Sequence, residues 1–269
     1  MKKLALCACL ISNIAIAQEQ QPLVTLQSKA NASGDVIQAV AKNQWYGPVE
    51  VELSWGASSS NVKSSPALPQ RWLLHSQQEK VLAILSQANP AQTTRFDAVL
   101  KAVPGQPNAQ HNAQWNYTWP LPNGQGRMDQ GFGGGASHQD VENYYAIDVT
   151  APPGTAVFAA RAGVVMATEG RFTASGWNRA LMGKANYVRV LHSDGSMASY
   201  AHLQPNSITV RPGDQVNAGS QIGRVGATGY TTGPHLHFVV QVNRQFKLLS
   251  VPFRMQVPPG AAKRLTRAP

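Results

Sequence analysis

Two histidines near the end of the chain are spaced so that both side chains can reach one metal ion. His235 and His237 are separated by one residue in an apolar and aromatic run that follows a Gly-rich segment. Such a run predicts a β-strand, in which alternate side chains point to the same face. Two imidazoles side by side need polar partners. The pair therefore indicates metal binding, or one ligand beside a residue that acts on water; the alternative is an exposed pair on a sheet surface.

A carboxylate in an apolar run and a third histidine extend the candidate site. Asp148 lies within the apolar residues 145–149, where a carboxylate needs a cation or several hydrogen bonds to be tolerated. His138 follows the Gly-rich residues 131–135, which suit an open cleft. Two imidazoles and one carboxylate that leave a fourth position for water form the ligand set of a catalytic zinc site. The alternative places Asp148 in a turn before the prolines that follow it.

Two further histidines lie in a predicted hairpin. Two alternating runs flank Asp194-Gly195, a dipeptide that favours a tight turn between strands. His202 ends the second run, where we expect it to share a face with Tyr200. His192 stands beside the turn, is interpreted as an exposed corner residue, and is left outside the candidate site.

An internal repeat predicts the architecture that positions these residues. Residues 153–159 are echoed at 212–218, and residues 163–168 are echoed at 223–228. Each unit is a Pro-Gly turn followed by short strands, so we expect two similar β-units packed face to face. Helical periodicity is almost absent, which predicts a mostly β domain over residues 119–257.

A separate domain is expected before a linker. Residues 104–118 are polar, rich in Pro, Gly and Asn, and indicate a surface connection. Before them, Val49–Trp55 alternates apolar and polar residues and other short apolar runs follow, which predicts a small β-sandwich over 18–103, with an immunoglobulin-like arrangement as one candidate. The basic tail, 258–269, lacks hydrophobic periodicity and is expected to lie outside the core. The predicted fold class is mostly β throughout.

The first residues predict export. Two lysines, the apolar residues 4–17 and a small-residue cleavage site form a secretory signal peptide over 1–17. We therefore expect a periplasmic or secreted protein with no membrane span, because the apolar segment is too short to cross a bilayer. Both cysteines, Cys7 and Cys9, lie inside this segment. Disulfides, thiolate ligands and cysteine nucleophiles are thus excluded from the mature chain.

The charge of the chain indicates its partners. Removal of Lys2 and Lys3 with the signal lowers the formal net charge from +10 to +8, so the mature chain stays basic. A basic surface attracts anionic polymers over long range. For an exported protein we expect envelope polymers rather than nucleic acid as the partner, and we expect a monomer.

The order of these motifs resembles the lysostaphin-type (LytM-like) zinc metalloendopeptidases, whose catalytic domain is an antiparallel duplicated hybrid motif. The resemblance covers about residues 130–241: a His and an Asp, then Tyr-Ala-His-Leu at 200–203, then Gly-Pro-His-Leu-His-Phe at 233–238. It implies one zinc ion per chain and a division of roles among five residues. The implied zinc ligands are His138, Asp148 and His237, and the implied catalytic residues are His202 and His235.

The same resemblance implies a function. It indicates an endopeptidase that hydrolyses peptide cross-links of bacterial peptidoglycan by attack of zinc-activated water, with D,D-bonds as the first substrate and glycyl bridges as the second. His235 is favoured as general base and His202 as its helper, although the sequence does not separate the two roles. The alternatives are an inactive wall-binding regulator that activates another hydrolase, and a chain whose N-terminal module is the main actor.

One feature departs from the family pattern. The usual first motif has three residues between His and Asp, whereas nine residues separate His138 from Asp148 here. We expect an insertion loop that keeps the two side chains close in space. Asp140 is the substitute ligand if His138 does not reach the metal.

Overall fold

The computed structural model describes residues 23–32, 36–135 and 137–261. The predicted signal peptide, 1–17, and residues 262–269 of the predicted tail lie outside these ranges. Across the described ranges the regular elements are strands and one three-residue 3₁₀ helix, so the predicted mostly β fold class is confirmed. No helix in that part of the chain has the length and apolar character needed to cross a membrane.

The described residues form two compact units. The first contains residues 23–44 and 48–103, and the second contains residues 45–47 and 104–261. The immunoglobulin-like arrangement and the domain boundaries drawn from the sequence stay predictions.

The first unit is built from seven strands in two sheets. Its strands are β1 (Val24–Ala30), β2 (Val36–Asn43), β3 (Val49–Trp55), β4 (Val62–Ser65), β5 (Gln70–Leu74), β6 (Glu79–Gln87) and β7 (Ala98–Pro104). One sheet is antiparallel with the order β1-β2-β6-β4, and the other has the order β5-β3-β7. The strand predicted from alternation in β3 is confirmed, because Val49, Val51 and Leu53 are all fully buried.

The second unit contains the candidate site and is built around one large sheet. Its elements are β8 (Asn116–Tyr117), β9 (Arg127–Gln130), β10 (Ile147–Thr150), β11 (Ala156–Phe158), β12 (Gly163–Glu169), β13 (Ser175–Gly176), the 3₁₀ helix Arg179–Leu181, β14 (Tyr187–Leu191), β15 (Met197–Ala201), β16 (Gln215–Val216), β17 (Gln221–Arg224), β18 (Gly229–Tyr230), β19 (His235–Arg244), β20 (Lys247–Ser250) and β21 (Arg254–Met255). The large sheet has the order β16-β12-β14-β15-β19-β10-β9, and β20 also pairs with β19.

The hairpin predicted around Asp194-Gly195 is confirmed. Strands β14 and β15 pair antiparallel from Tyr187 opposite Ala201 to Leu191 opposite Met197. Gly195 closes the turn with a φ of +81°, a left-handed conformation that glycine adopts without steric cost.

The two repeats are joined by hydrogen-bonded strands. Strand β11 of the first repeat pairs with β17 of the second, and β12 of the first pairs with β16 of the second. The expectation of units packed face to face is therefore wrong at these strands, which meet edge to edge. The pairing has a physical reason, since each short strand would otherwise present unpaired backbone groups at its edge.

The core of the second unit extends beyond the range expected from the sequence. Ala109 and Tyr117, from the segment predicted as a linker, lie in the core cluster with 6% and 0% exposure. Tyr117 packs edge-on against Phe238 and Phe253, and β8 pairs with β21. Ala261, in the tail expected outside the core, is 3% exposed and belongs to the same cluster. Isolated apolar residues in polar segments carry no periodicity, so their burial could not be predicted.

Candidate functional site

Two neighbouring strands place one histidine and one carboxylate directly opposite each other. Strands β10 and β19 pair antiparallel with Asp148 opposite His237. The predicted alternation in β19 is confirmed, since Leu236 and Phe238 are fully buried in the core while His235 and His237 are only partly buried on the other face. Period-2 alternation alone therefore carries both imidazoles to the face of Asp148.

His202 reaches the same face through an unusual backbone conformation. Strand β15 ends at Ala201, which lies opposite His237, and His202 follows with a φ of +61°. A left-handed residue breaks the alternation of a strand. Tyr200 packs in the core against Phe238. The left-handed backbone turns His202 to the other face, where its ring centroid lies 4.6 Å from that of His235. The expectation that Tyr200 and His202 share a face is wrong for this reason.

His138 is brought to Asp148 by a folded loop. Its imidazole is fully buried, and Nε2 lies 3.3 Å from Oδ1 of Asp148. The backbone amide of His138 donates to the Gly134 carbonyl, and Nδ1 donates to the Gly131 carbonyl at 2.9 Å. Residues 141–145 of the intervening segment form turns, so the long spacing in sequence does not separate the two side chains in space.

Three side chains offer converging ligand atoms. Donor atoms of His138, Asp148 and His237 all lie within 4.8 Å of one another. Oδ1 of Asp148 is 3.3 Å from His138 Nε2 and 2.9 Å from His237 Nδ1.

The position of the proton on the His138 ring indicates whether this cluster can bind a cation. A carbonyl oxygen only accepts, so its hydrogen bond to Gly131 places the proton on Nδ1 and leaves a lone pair on Nε2. That Nε2 is buried without a hydrogen-bond donor. A lone pair directed at a carboxylate oxygen is stabilised by a cation, so the residues present fit a zinc ion, for which two imidazoles and a carboxylate are a catalytic ligand set.

The electrostatics of the cluster keep the carboxylate charged. Burial by itself raises the pKa of Asp148. When the imidazoles that face it are protonated, hydrogen bonds donated by His138 and His237, and the charges of His237 and His235, hold this pKa far below its usual range. Burial acts to lower the pKa of His138, yet the hydrogen bond and the charge of Asp148 favour its protonated form and raise that pKa.

The two remaining histidines are held neutral. Burial, followed by the charges of His235 and His237, lowers the pKa of His202 to about 3. Burial also lowers the pKa of His235, against the opposing charge of Asp148. A neutral imidazole keeps one ring nitrogen unprotonated at pH 7, so both rings can accept a hydrogen bond from water.

Several groups that orient these side chains have no signal in the sequence. The Thr228 carbonyl accepts from His202 Nδ1 at 2.7 Å, and the Gly233 carbonyl accepts from His235 Nδ1 at 2.9 Å. Gln130 donates to Oδ2 of Asp148 at 3.1 Å. The Gly-rich loop before His235 could be found from its composition, but the direction of an individual carbonyl could not.

The substitute ligand considered for His138 lies elsewhere. Asp140 is exposed, and its carboxylate accepts hydrogen bonds from the backbone amides of Glu142 and Asn143. Among the described residues, the ligand-atom cluster contains His138 and not Asp140.

His192 lies outside the ligand-atom cluster, but it is not the exposed corner residue expected from the sequence. It is 3% exposed, and its Nδ1 donates to the Ala162 carbonyl at 2.8 Å. Tyr117 packs edge-on against the imidazole. The expectation is wrong because Tyr117, from the segment predicted as a linker, covers this corner of the hairpin.

His192 makes the stability of the protein depend on pH. Burial lowers its pKa to about 4, whereas an unfolded histidine titrates near 6.5. The unfolded state therefore binds the proton first as the pH falls, and we expect stability to be lost between about pH 6.5 and pH 4. Because His192 is nearly inaccessible, the loss amounts to about 3 kcal/mol.

The variant His192→Asn tests this dependence. Asparagine can keep the donor to Ala162 but does not titrate, so denaturant unfolding should show a smaller loss of free energy for the variant than for the wild type over this pH range. If the free energy of unfolding fell equally with pH in the two proteins, the prediction would be contradicted.

Comparison with known proteins identifies the family of this domain. Residues 142–247 match the model of peptidase family M23, a range that includes Asp148, His202, His235 and His237. His138 lies just outside the matched range.

The curated relatives are similar to this chain over part of its length. The glycyl-glycine endopeptidase ALE-1 of Staphylococcus capitis is 33% identical over 134 residues, which are 49% of this chain and 32% of that protein. The peptidoglycan DD-endopeptidase ShyC of Vibrio cholerae is 37% identical over 103 residues, 38% of this chain and 21% of that protein. The chain thus spans about a third or less of the length of these relatives.

A solved structure is similar to this chain over about half of its length. The catalytic domain of lysostaphin from Staphylococcus simulans is 34% identical and covers 49% of this chain and 87% of its own, with a TM-score of 0.29. The resemblance recognised from the order of the sequence motifs is confirmed by the family match. Residues 142–247 of the chain are therefore a domain that matches peptidase family M23.

Proposed function

We propose that this chain is a zinc-dependent endopeptidase that hydrolyses peptide cross-links of bacterial peptidoglycan. The observation that carries the proposal is the convergence of three ligand atoms beside two neutral histidines on one face of the sheet. Relatives named as peptidoglycan and glycyl-glycine endopeptidases support the substrate class. Their substrates lie outside the cytoplasm, which agrees with the export predicted from the first residues.

In this proposal His138, Asp148 and His237 hold the metal. Zinc, when bound, supplies a Lewis acid that polarises a carbonyl and makes water reactive near neutral pH. The side chains that surround the ligands contribute orientation. Gln130 holds Oδ2 of Asp148, and Gly131 holds the ring of His138, so both ligands are restrained before any metal arrives.

His235 is proposed as the general base. Its Nδ1 proton is donated to Gly233, which leaves the lone pair on Nε2, and Nε2 lies 3.7 Å from Oδ1 of Asp148. This places the basic nitrogen beside the ligand cluster. It can take a proton from the attacking water and return it to the leaving amine.

His202 is proposed as the helper. Its Nδ1 proton is donated to Thr228, so its Nε2 is also unprotonated, and its ring lies beside that of His235. From this position its unprotonated Nε2 can accept a hydrogen bond from water and orient it for attack.

The bond that is cut is proposed to be the D,D-bond between D-alanine and diaminopimelate in cross-linked stem peptides. The similarity to a DD-endopeptidase supports this choice, and the similarity to a glycyl-glycine endopeptidase makes glycyl bridges the second candidate. An inactive wall-binding regulator is disfavoured, because all five residues of the site are present and the ligand atoms converge.

Mass spectrometry of fragments from purified sacculi tests the activity and the bond together. We expect cross-linked muropeptide dimers from diaminopimelate-containing sacculi to become monomers, with sacculi incubated in chelator as the control. Glycyl-bridged sacculi digested in parallel should release no new amino-terminal glycine. Release of such glycines would show that glycyl bridges are the substrate. Zinc-loaded protein that releases nothing from either wall would contradict the proposed activity.

A further inference from the structure

The loop between His138 and Asp148 contains an asparagine that contacts one of the proposed ligands. Oδ1 of Asn143 lies 3.1 Å from Nε2 of His237. The amide nitrogen of Asn143 lies 3.0 Å from both carboxylate oxygens of Asp140. Asn143 therefore connects an exposed carboxylate to the imidazole at the centre of the site.

The orientation of the Asn143 amide follows from its partners. A carboxylate only accepts hydrogen bonds, so the amide nitrogen must face Asp140 and the amide oxygen must face His237. Because that oxygen also only accepts, Nε2 of His237 must carry the proton that joins them. Hydrogen-bond partners of this kind are what determine a histidine tautomer.

The proton on Nε2 determines what the other nitrogen of His237 can do. Nδ1 is left with a lone pair and lies 2.9 Å from Oδ1 of Asp148. His138 is in the same condition, since its proton is donated to Gly131 and its lone pair faces the same oxygen at 3.3 Å. Two lone pairs from two rings thus converge on one carboxylate oxygen, the arrangement that a shared cation stabilises.

The loop is anchored so that Asn143 stays in this position. The carboxylate of Asp140 accepts from the backbone amide of Asn143. The carbonyl of Glu142 accepts from the Gln241 side chain of β19, and the carbonyl of Val141 accepts from Ser250 of β20. These hydrogen bonds attach the segment between His138 and Asp148 to strands β19 and β20, and so restrain Asn143 beside His237.

We propose that Asn143, oriented by Asp140, is a positioning residue that holds His237 in the tautomer whose Nδ1 can bind the metal. The proposal rests on the proposed zinc site. Groups that accept the second ring proton of a metal-binding histidine fix its orientation and increase its basicity, and their loss costs roughly 10- to 100-fold in metal affinity.

Zinc affinity measured by competition with a chromophoric chelator tests the proposal on the full chain. Asn143→Ala should bind zinc roughly 10- to 100-fold more weakly than the wild type. Asn217→Ala is the matched control, because Asn217 is an exposed asparagine of the same unit, and its affinity should equal that of the wild type. The visible absorption of the cobalt-substituted protein should also change for Asn143→Ala, since it reports the geometry of the ligands.

A reciprocal exchange separates positioning from simple stabilisation of the loop. In Asn143→Asp the new carboxylate faces Asp140, and repulsion should weaken zinc binding. Adding Asp140→Asn restores a donor opposite the new carboxylate, whose second oxygen can still accept from His237. We expect the double variant to recover wild-type zinc affinity to within about threefold, since a carboxylate that accepts the histidine proton is a favourable partner.

The outcomes distinguish this proposal from the proposed function. Wild-type protein that binds no zinc would contradict the zinc site itself. Wild-type protein that binds zinc while folded Asn143→Ala binds equally well would overturn the role of Asn143 alone. Circular dichroism in chelator shows which variants fold. If Asn143→Ala does not fold, the comparison of Asn143→Asp with the double variant decides, and failure of the exchange to restore affinity overturns the proposal.

Discussion

Replacing His237 with alanine is expected to remove zinc and abolish peptidoglycan cleavage together. His237 is directly opposite Asp148 on the neighbouring strand, and its loss leaves only two of the three proposed ligands. Catalytic zinc sites use three protein ligands, so two should not retain the ion through dialysis. We expect metal analysis to find one zinc per wild-type chain and almost none in His237→Ala, with cleavage of purified sacculi at the level of chelator-treated enzyme.

The control for this variant is an equivalent change remote from the site. His75 is an exposed histidine of the first unit, so His75→Ala should keep both zinc and activity. Thermal unfolding in chelator establishes whether His237→Ala is folded. A folded variant that retained one zinc per chain would show that the ligand set is misassigned.

Replacing His235 with alanine is expected to separate binding from catalysis. His235 lies beside the cluster but outside the set of converging ligand atoms, and its Nδ1 is held by Gly233. The variant should keep one zinc per chain. Loss of a general base typically costs roughly 10²- to 10⁴-fold in rate, so the initial rate of release of muropeptide monomers should fall by about that factor.

The matching variant His202→Ala resolves the division of roles. It removes the helper and leaves His235 held by Gly233, so it should also keep zinc and should lose less activity than His235→Ala. Full activity of the His235 variant on purified sacculi would show that His235 is not the base. A larger loss of activity for His202→Ala than for His235→Ala would indicate that His202 is the general base and His235 the helper.

Where the chemistry depends on neighbouring residues in sequence, the pattern was sufficient to predict it. His235 and His237 share a face because side chains in any strand alternate with period two, and Leu236 and Phe238 mark the buried side. The hairpin at Gly195 could be predicted because the turn requires a left-handed residue at that point. The repeat indicated two similar β-units, but the face-to-face packing expected for them was wrong at the strands that join the repeats.

Other parts of the site depend on contacts between residues distant in the chain. No local pattern indicates that His202 turns to the side of His235 through a left-handed backbone, or that Tyr117 buries His192. The exposed interpretation of His192 was wrong because burial is a property of the whole packed unit.

The mostly β fold class and the common face of His235 and His237 could therefore be predicted from the pattern of residues, because local backbone geometry depends on adjacent residues. The order of the motifs was enough to indicate the resemblance to a zinc peptidase domain. The 3.3 Å approach of His138 to Asp148 and the contact of Asn143 with His237 are visible only in the folded protein. These distances result from turns and anchoring hydrogen bonds to β19 and β20, which spacing along the chain does not specify.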